Sequence, residues 1–192
     1  MNYQDYIWDL GGTLLDNYET STAAFVHTLQ DFGLTASHDE VYKALKVSTE
    51  YAVRQFAPRN KEFLKAYKAN EAKELEHPIL FDGASEFLAQ IIQQGGRNFL
   101  ISHRDDQVLE ILQKTQIGLY FTEVVTATNG FKRKPDPESM LYLKEKYQIE
   151  SGLVIGDRPI DIEAGQAAGF SCYLFDNMKN LEEFVDIELE KE

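Results

Sequence analysis

Tyr6-Ile7-Trp8-Asp9-Leu10-Gly11-Gly12-Thr13-Leu14-Leu15-Asp16 is the stretch that decides the fold. An apolar, aromatic run that stops at a carboxylate and then two glycines predicts a buried strand delivering Asp9 into a tight turn. A carboxylate at a strand end is a candidate site. An isolated Asp-Leu-Gly-Gly would more simply be a turn, so the weight falls on what the rest of the chain does.

Beyond Asp16 the character of the sequence changes. From Tyr18 to about Glu76 nearly every segment reads helical, with Ala24, Phe25, Thr28, Leu29 and Phe32 on one face. Val41, Leu45 and Val47 make the next face, followed by Phe56, Phe63, Leu64 and Tyr67. From His77 helices and strands alternate. Helices are expected over Ala84–Gln94, Asp106–Lys114, Pro137–Tyr147 and Ile160–Ala168, and strands over Asn98–Ser102, Glu123–Thr126, Leu153–Gly156 and Ser171–Phe175. Such alternation implies an α/β fold, a parallel sheet covered by helices on both faces. The expected division is an α/β core from residues 1–16 and 83–192, with an all-helical insertion over 17–82 hinged near Asn17–Tyr18 and Ile79–Asp82. Parallel sheets bind ligands beyond the C-terminal ends of their strands, where this sequence concentrates its polar residues.

Bulk properties narrow the partners. At 192 residues the chain can build one domain with a real core and a modest insertion. Its formal net charge of −13 argues against nucleic acid and anionic membranes, which are held by Lys and Arg. There is no basic leader followed by an apolar segment and cleavage site, and no run approaches a membrane span, so a cytoplasmic location is expected. Cys172 is the single cysteine, so no intramolecular disulfide forms, and it reads as a buried structural thiol. A monomer or a homodimer is expected.

Three further stretches carry chemistry. Phe99-Leu100-Ile101-Ser102-His103-Arg104 is an apolar strand ending in a hydroxyl, then a histidine and an arginine that could contact phosphate or move a proton. Lys132-Arg133-Lys134-Pro135-Asp136-Pro137 puts Lys134 before a proline-fixed loop that opens a helix. Leu153-Val154-Ile155-Gly156-Asp157-Arg158-Pro159-Ile160-Asp161 is a strand followed by two carboxylates on the next turn. Together with the first stretch, these resemble in order the motifs of the haloacid dehalogenase-like hydrolase superfamily, with a layout similar to phosphoglycolate phosphatases and β-phosphoglucomutases.

That resemblance implies a Rossmann-like core with a helical cap over residues 17–82 that closes over the substrate and sets specificity. It implies a phosphohydrolase of small phosphorylated metabolites in which Asp9 attacks phosphorus and becomes an aspartyl-phosphate. Gly12, Thr13, Ser102, His103, Arg104 and Lys134 would then meet the phosphoryl group or substrate, with Ser102 and Lys134 catalytic alongside Asp9. Mg²⁺, a hard ion that takes oxygen ligands, would be held by Asp9, the Gly11 carbonyl and Asp157, with Asp161 in support. The departure is Gly11, which stands where the family carries a second aspartate as general acid and base. Such a group is worth about 10²–10⁴ in rate, or roughly 3–5 kcal/mol. Two alternatives follow from its loss. Phosphonoacetaldehyde hydrolases also carry a small residue there and use a cap lysine as Schiff base, a role open to Lys43, Lys46, Lys61, Lys65 or Lys68. The other is a member that binds a phosphorylated ligand or partner without turning it over. Cap residues Arg54, Lys65 and Lys68 are candidates to face the substrate.

Overall fold

The computed structural model describes residues 3–74 and 76–189. The chain forms two compact units, one from the residues up to Leu15 together with those from Leu80 onward, the other Asp16–Ile79. The first begins with β1 (Asp5–Trp8), whose residues are all buried.

The second unit is helical: α1 (Asn17–Asp31), α2 (His38–Val47), α3 (Thr49–Phe56) and α4 (Phe63–Glu74). Asp16 caps α1 by accepting from Glu19 N at 3.0 Å, and Ser37 and Glu40 form a reciprocal capping box on α2. Phe25 is the centre of its core, edge-on to Phe56, Phe63 and Tyr67 with ring centroids 6.2, 4.9 and 5.0 Å away. Two expected core residues are corrected here, because Val47 is 68% and Leu64 44% exposed. Val41, Ala44 and Leu45 already fill the inner stripe of α2, and Val47 lies about 200° further round than Leu45. On α4 the inner face is set by Phe63 and Tyr67, leaving Leu64 about 100° off it.

The first unit resumes with α5 (Ala84–Gln93), β2 (Arg97–Ile101), α6 (Gln107–Lys114) and β3 (Phe121–Val125). It ends with α7 (Glu138–Tyr147), β4 (Gly152–Gly156), α8 (Pro159–Ala167), β5 (Ser171–Leu174) and α9 (Met178–Leu189). The five strands pair in parallel in the order β3-β2-β1-β4-β5, so β1 lies at the centre. Strand side chains alternate between faces. Tyr6, Trp8, Leu100, Leu153 and Ile155 pack in one core with Phe87, Leu112 and Leu181, while Ile7, Phe99, Ile101 and Val154 pack in the other with Met140, Leu143 and Ala164. The buried Trp8 indole donates to Asn98 Oδ1 at 2.9 Å, and Asn98 Nδ2 donates to Leu88 O at 3.1 Å, so neither polar group is stranded.

Helix and strand limits fall within two residues of those expected, with two exceptions in substance. No helix was expected at α9, and Cys172 is half-buried on β5 rather than fully enclosed. Its Sγ lies 3.6 Å from the carbonyls of Ile162 and Phe170, and burial pushes the thiol up to about 11. Among the described residues no helix is long and apolar enough to cross a membrane.

Candidate active site

The polar residues gather where β1, β2 and β4 end. Asp9 follows β1 directly, and its N–H donates to Ile155 O at 2.9 Å, which extends the pairing with β4 by one residue. Gly12 then takes φ 86° and donates to Leu15 O at 2.9 Å, turning the chain back on itself. That glycine has a second reason to lack a side chain, since a Cβ there would overlap the Asp157 carboxylate. Gly156 is constrained likewise, because its Cβ would run into the side chain of Asp161 in the first turn of α8.

Lys134 is 5% exposed and is the hub of the cluster. Its Nζ donates to Asp9 Oδ1 at 2.5 Å, lies 2.5 Å from Asp161 Oδ1, and reaches Ile101 O at 3.4 Å. The contact to Asp161 is an ion pair without hydrogen-bond alignment, so that oxygen, like Asp157 Oδ1, is buried with no hydrogen-bond partner. Carboxylate oxygens of Asp9, Asp157 and Asp161 all lie within 4.8 Å of one another. Three carboxylates thus crowd together, and one ammonium pairs with two of them, Asp9 and Asp161. Burial raises the Asp9 pKa, with Lys134 opposing and Asp161 adding to the rise. Burial, then the negative charges of Asp9 and Asp161, pushes Asp157 up to about 6. Arg158 eases both through its charge, and its main-chain N–H donates to Asp161 Oδ2 at 3.1 Å, holding that carboxylate in the turn.

An oxygen-only donor set with surplus negative charge, in which Asp157 Oδ1 is buried without a hydrogen bond or ion pair, fits a hard divalent cation such as Mg²⁺. The residues whose carboxylate oxygens are placed to hold it are Asp9, Asp157 and Asp161.

The remaining predicted residues fall as follows. Ser102 is 5% exposed at the end of β2; its Oγ accepts from Arg104 N at 3.3 Å, which leaves the hydroxyl proton free to donate. Thr13 is fully buried, its hydroxyl without a partner. His103 Nε2 accepts from Lys134 N at 2.7 Å, so the ring is engaged with main chain. The Arg104 side chain is bound to none of these groups, while its carbonyl accepts from Ala127 N. Of the helical-unit cations, Lys68 is paired with Glu71 at 2.7 Å and Lys46 lies over the rings of Tyr18 and Tyr42. Arg158 was the residue that sequence reasoning passed over; its place between the two carboxylates of the last motif was the available signal.

A family model described as haloacid dehalogenase-like hydrolase matches residues 6–175. The chain is 29% identical over 189 residues to a phosphoglycolate phosphatase of Aliivibrio fischeri, covering 88% of this chain and 81% of that protein. It is 25% identical to a pyrophosphatase of Oceanobacillus iheyensis, with 88% and 81% covered. A crystal structure of a hydrolase from Streptococcus pneumoniae has a TM-score of 0.94 at 69% identity, covering 97% of this chain and all of that one.

Proposed function

The chain belongs to the haloacid dehalogenase-like hydrolases, and on that premise we propose that it is a Mg²⁺-dependent phosphatase of a small phosphorylated metabolite, with Asp9 as the phosphoryl acceptor. The observation that carries this reading is the buried Asp9 at the end of the central strand, joined by Lys134 to Asp161 in a cluster where Asp157 Oδ1 is buried without a partner. Asp9, Asp157 and the Gly11 carbonyl would hold the ion, with Asp161 in support; when bound it neutralises charge on the phosphoryl oxygens.

An Asp9 carboxylate oxygen forms the new bond to phosphorus as the bond to the leaving group breaks, and the departing anion takes its proton from solvent. The Lys134 ammonium and the Ser102 hydroxyl stabilise charge spreading over the phosphoryl oxygens without transferring protons. Water then cleaves the aspartyl-phosphate, releasing inorganic phosphate and its protons and restoring the Asp9 carboxylate. Relatives named phosphoglycolate phosphatase and pyrophosphatase support a small anionic substrate.

The test is phosphate release with Mg²⁺ from a panel of phosphate esters, pyrophosphate, acyl phosphates and phosphonoacetaldehyde. Asp9→Asn should abolish release; a variant as active as wild type removes Asp9 from the reaction. Release from the phosphonate alone would favour C–P cleavage, and tight binding without release would favour a non-catalytic role.

A further inference from the structure

His103 follows Ser102 at the end of β2, and its ring reaches across to the segment before α7. Nε2 accepts the Lys134 main-chain N–H at 2.7 Å, and the His103 carbonyl accepts from Arg133 Nη2 at 3.2 Å. An accepting Nε2 fixes the neutral ring with its proton on Nδ1. The same loop is tied to β3 on its other side, where Ser102 N donates to Val125 O at 2.9 Å and Ala127 N donates to Arg104 O at 2.8 Å. The backbone around Ser102 is therefore fixed to the sheet, and Lys134 is fixed to that backbone through one imidazole.

We propose that His103 is a positioning residue: its ring sets the main chain of Lys134 against the end of β2, so that the Lys134 ammonium and the Ser102 hydroxyl keep one relation to Asp9. The inference rests on Lys134 acting in the proposed reaction. Proton transfer by His103 would need Nε2, which is occupied. The groups facing the ring also oppose its charge, since burial, Lys134, Arg133 and Arg158 bring it down to about 4, against Asp161 alone. A protonated ring would set N–H against N–H at the latch.

Three variants separate the roles. His103→Gln places a carbonyl oxygen near the position of Nε2, His103→Asn is too short to reach it, and His103→Leu has no acceptor. Steady-state rates with p-nitrophenyl phosphate and saturating Mg²⁺ are compared in the wild-type and Lys134→Ala backgrounds. Since misplacing a reacting group by about 1 Å costs about a hundredfold, the Leu and Asn variants should lose about ten- to a hundredfold in kcat with KM little changed. The Gln variant should recover most of the loss, and in the Lys134→Ala background the Leu change should cost less than about twofold. A Gln variant no better than Leu, or an equal loss in both backgrounds, overturns the proposal. Nitrogen-15 NMR of the wild-type ring is independent of turnover and should find Nδ1 protonated and Nε2 bare from pH 8 to 5; a protonated Nε2 overturns the latch. Absence of any wild-type turnover would instead count against the phosphatase reading, with the ring tautomer still deciding the latch.

Discussion

Asp157→Asn should separate metal binding from folding, because the same carboxylate that would bind the cation is a liability without it. Asp157 titrates at about 6 in the fold, raised by burial and by Asp9 and Asp161, against about 3.9 in the unfolded chain. A raised carboxylate pKa means the fold holds its proton longer than the unfolded chain does. The penalty is therefore absent below about pH 4, grows through the interval, and is complete above about pH 6. Allowing for solvent screening of a half-buried group, it amounts to about 1 kcal/mol. In metal-free buffer at pH 8, Asp157→Asn should thus melt at or slightly above the wild-type temperature, and the advantage should vanish near pH 4. Mg²⁺ acts in the opposite sense. At about a hundred times its Kd, a ligand specific to the native state adds about 2.7 kcal/mol, which for a chain of this size is about 5–11 °C in Tm. Differential scanning fluorimetry with EDTA or Mg²⁺ measures both effects. The wild type should show the full shift and the variant little of it. An undiminished Mg²⁺ shift in Asp157→Asn removes this residue from the ion site, and a variant markedly less stable than wild type in EDTA at pH 8 refutes the electrostatic argument.

Other outcomes follow from the same geometry. With glycine at position 11 and His103 Nε2 engaged, aryl and acyl phosphates should turn over about 10²–10⁴ times faster than alkyl phosphates, whose leaving groups need protonation; equal rates across a leaving-group series would mean that an acid is present. Slow hydrolysis of the aspartyl-phosphate should give a burst of p-nitrophenol and hydroxylamine-labile phosphate on Asp9. Gly12, at φ 86°, takes the left-handed backbone of this turn and Gly11 does not, so the backbone admits Gly11→Asp, which should shrink the burst; brisk turnover with neither burst nor label, unaltered by that substitution, defeats the argument. Gly156→Ala should lower stability by about 1–3 kcal/mol in urea titration through its collision with Asp161, and an unchanged midpoint would mean the first turn of α8 yields freely.

The sheet was readable because its strands are buried on both faces and appear as short apolar runs such as Phe99-Leu100-Ile101 and Leu153-Val154-Ile155. Their order was not, since β1 pairs with partners more than ninety residues downstream and nothing local encodes that neighbourhood. In the helical unit apolar identity overstated burial at Val47 and Leu64, where the inner stripe was already filled. α9 is a different case. Leu181 and Val185 recur at helical spacing and are both buried, but Glu182 and Glu183 between them break up the apolar pattern.

At the site, positions were legible and relations were not. Asp9, Ser102, Asp157 and Asp161 each follow an apolar strand within a few residues, and parallel pairing of those strands necessarily brings their ends to one edge. What a strand-end rule cannot supply is the partner of each group. That one ammonium serves both Asp9 and Asp161 depends on the path of the loop before α7, and that His103 faces the backbone of Lys134 depends on a contact across 31 residues. A histidine beside a strand-end hydroxyl invites assignment as an acid or base. Its second nitrogen decides the matter, because a ring already accepting an N–H from the main chain has spent the lone pair that proton transfer would use. Orientation of this kind is set by tertiary packing, so the residue type marked the place and only the fold shows what the ring faces.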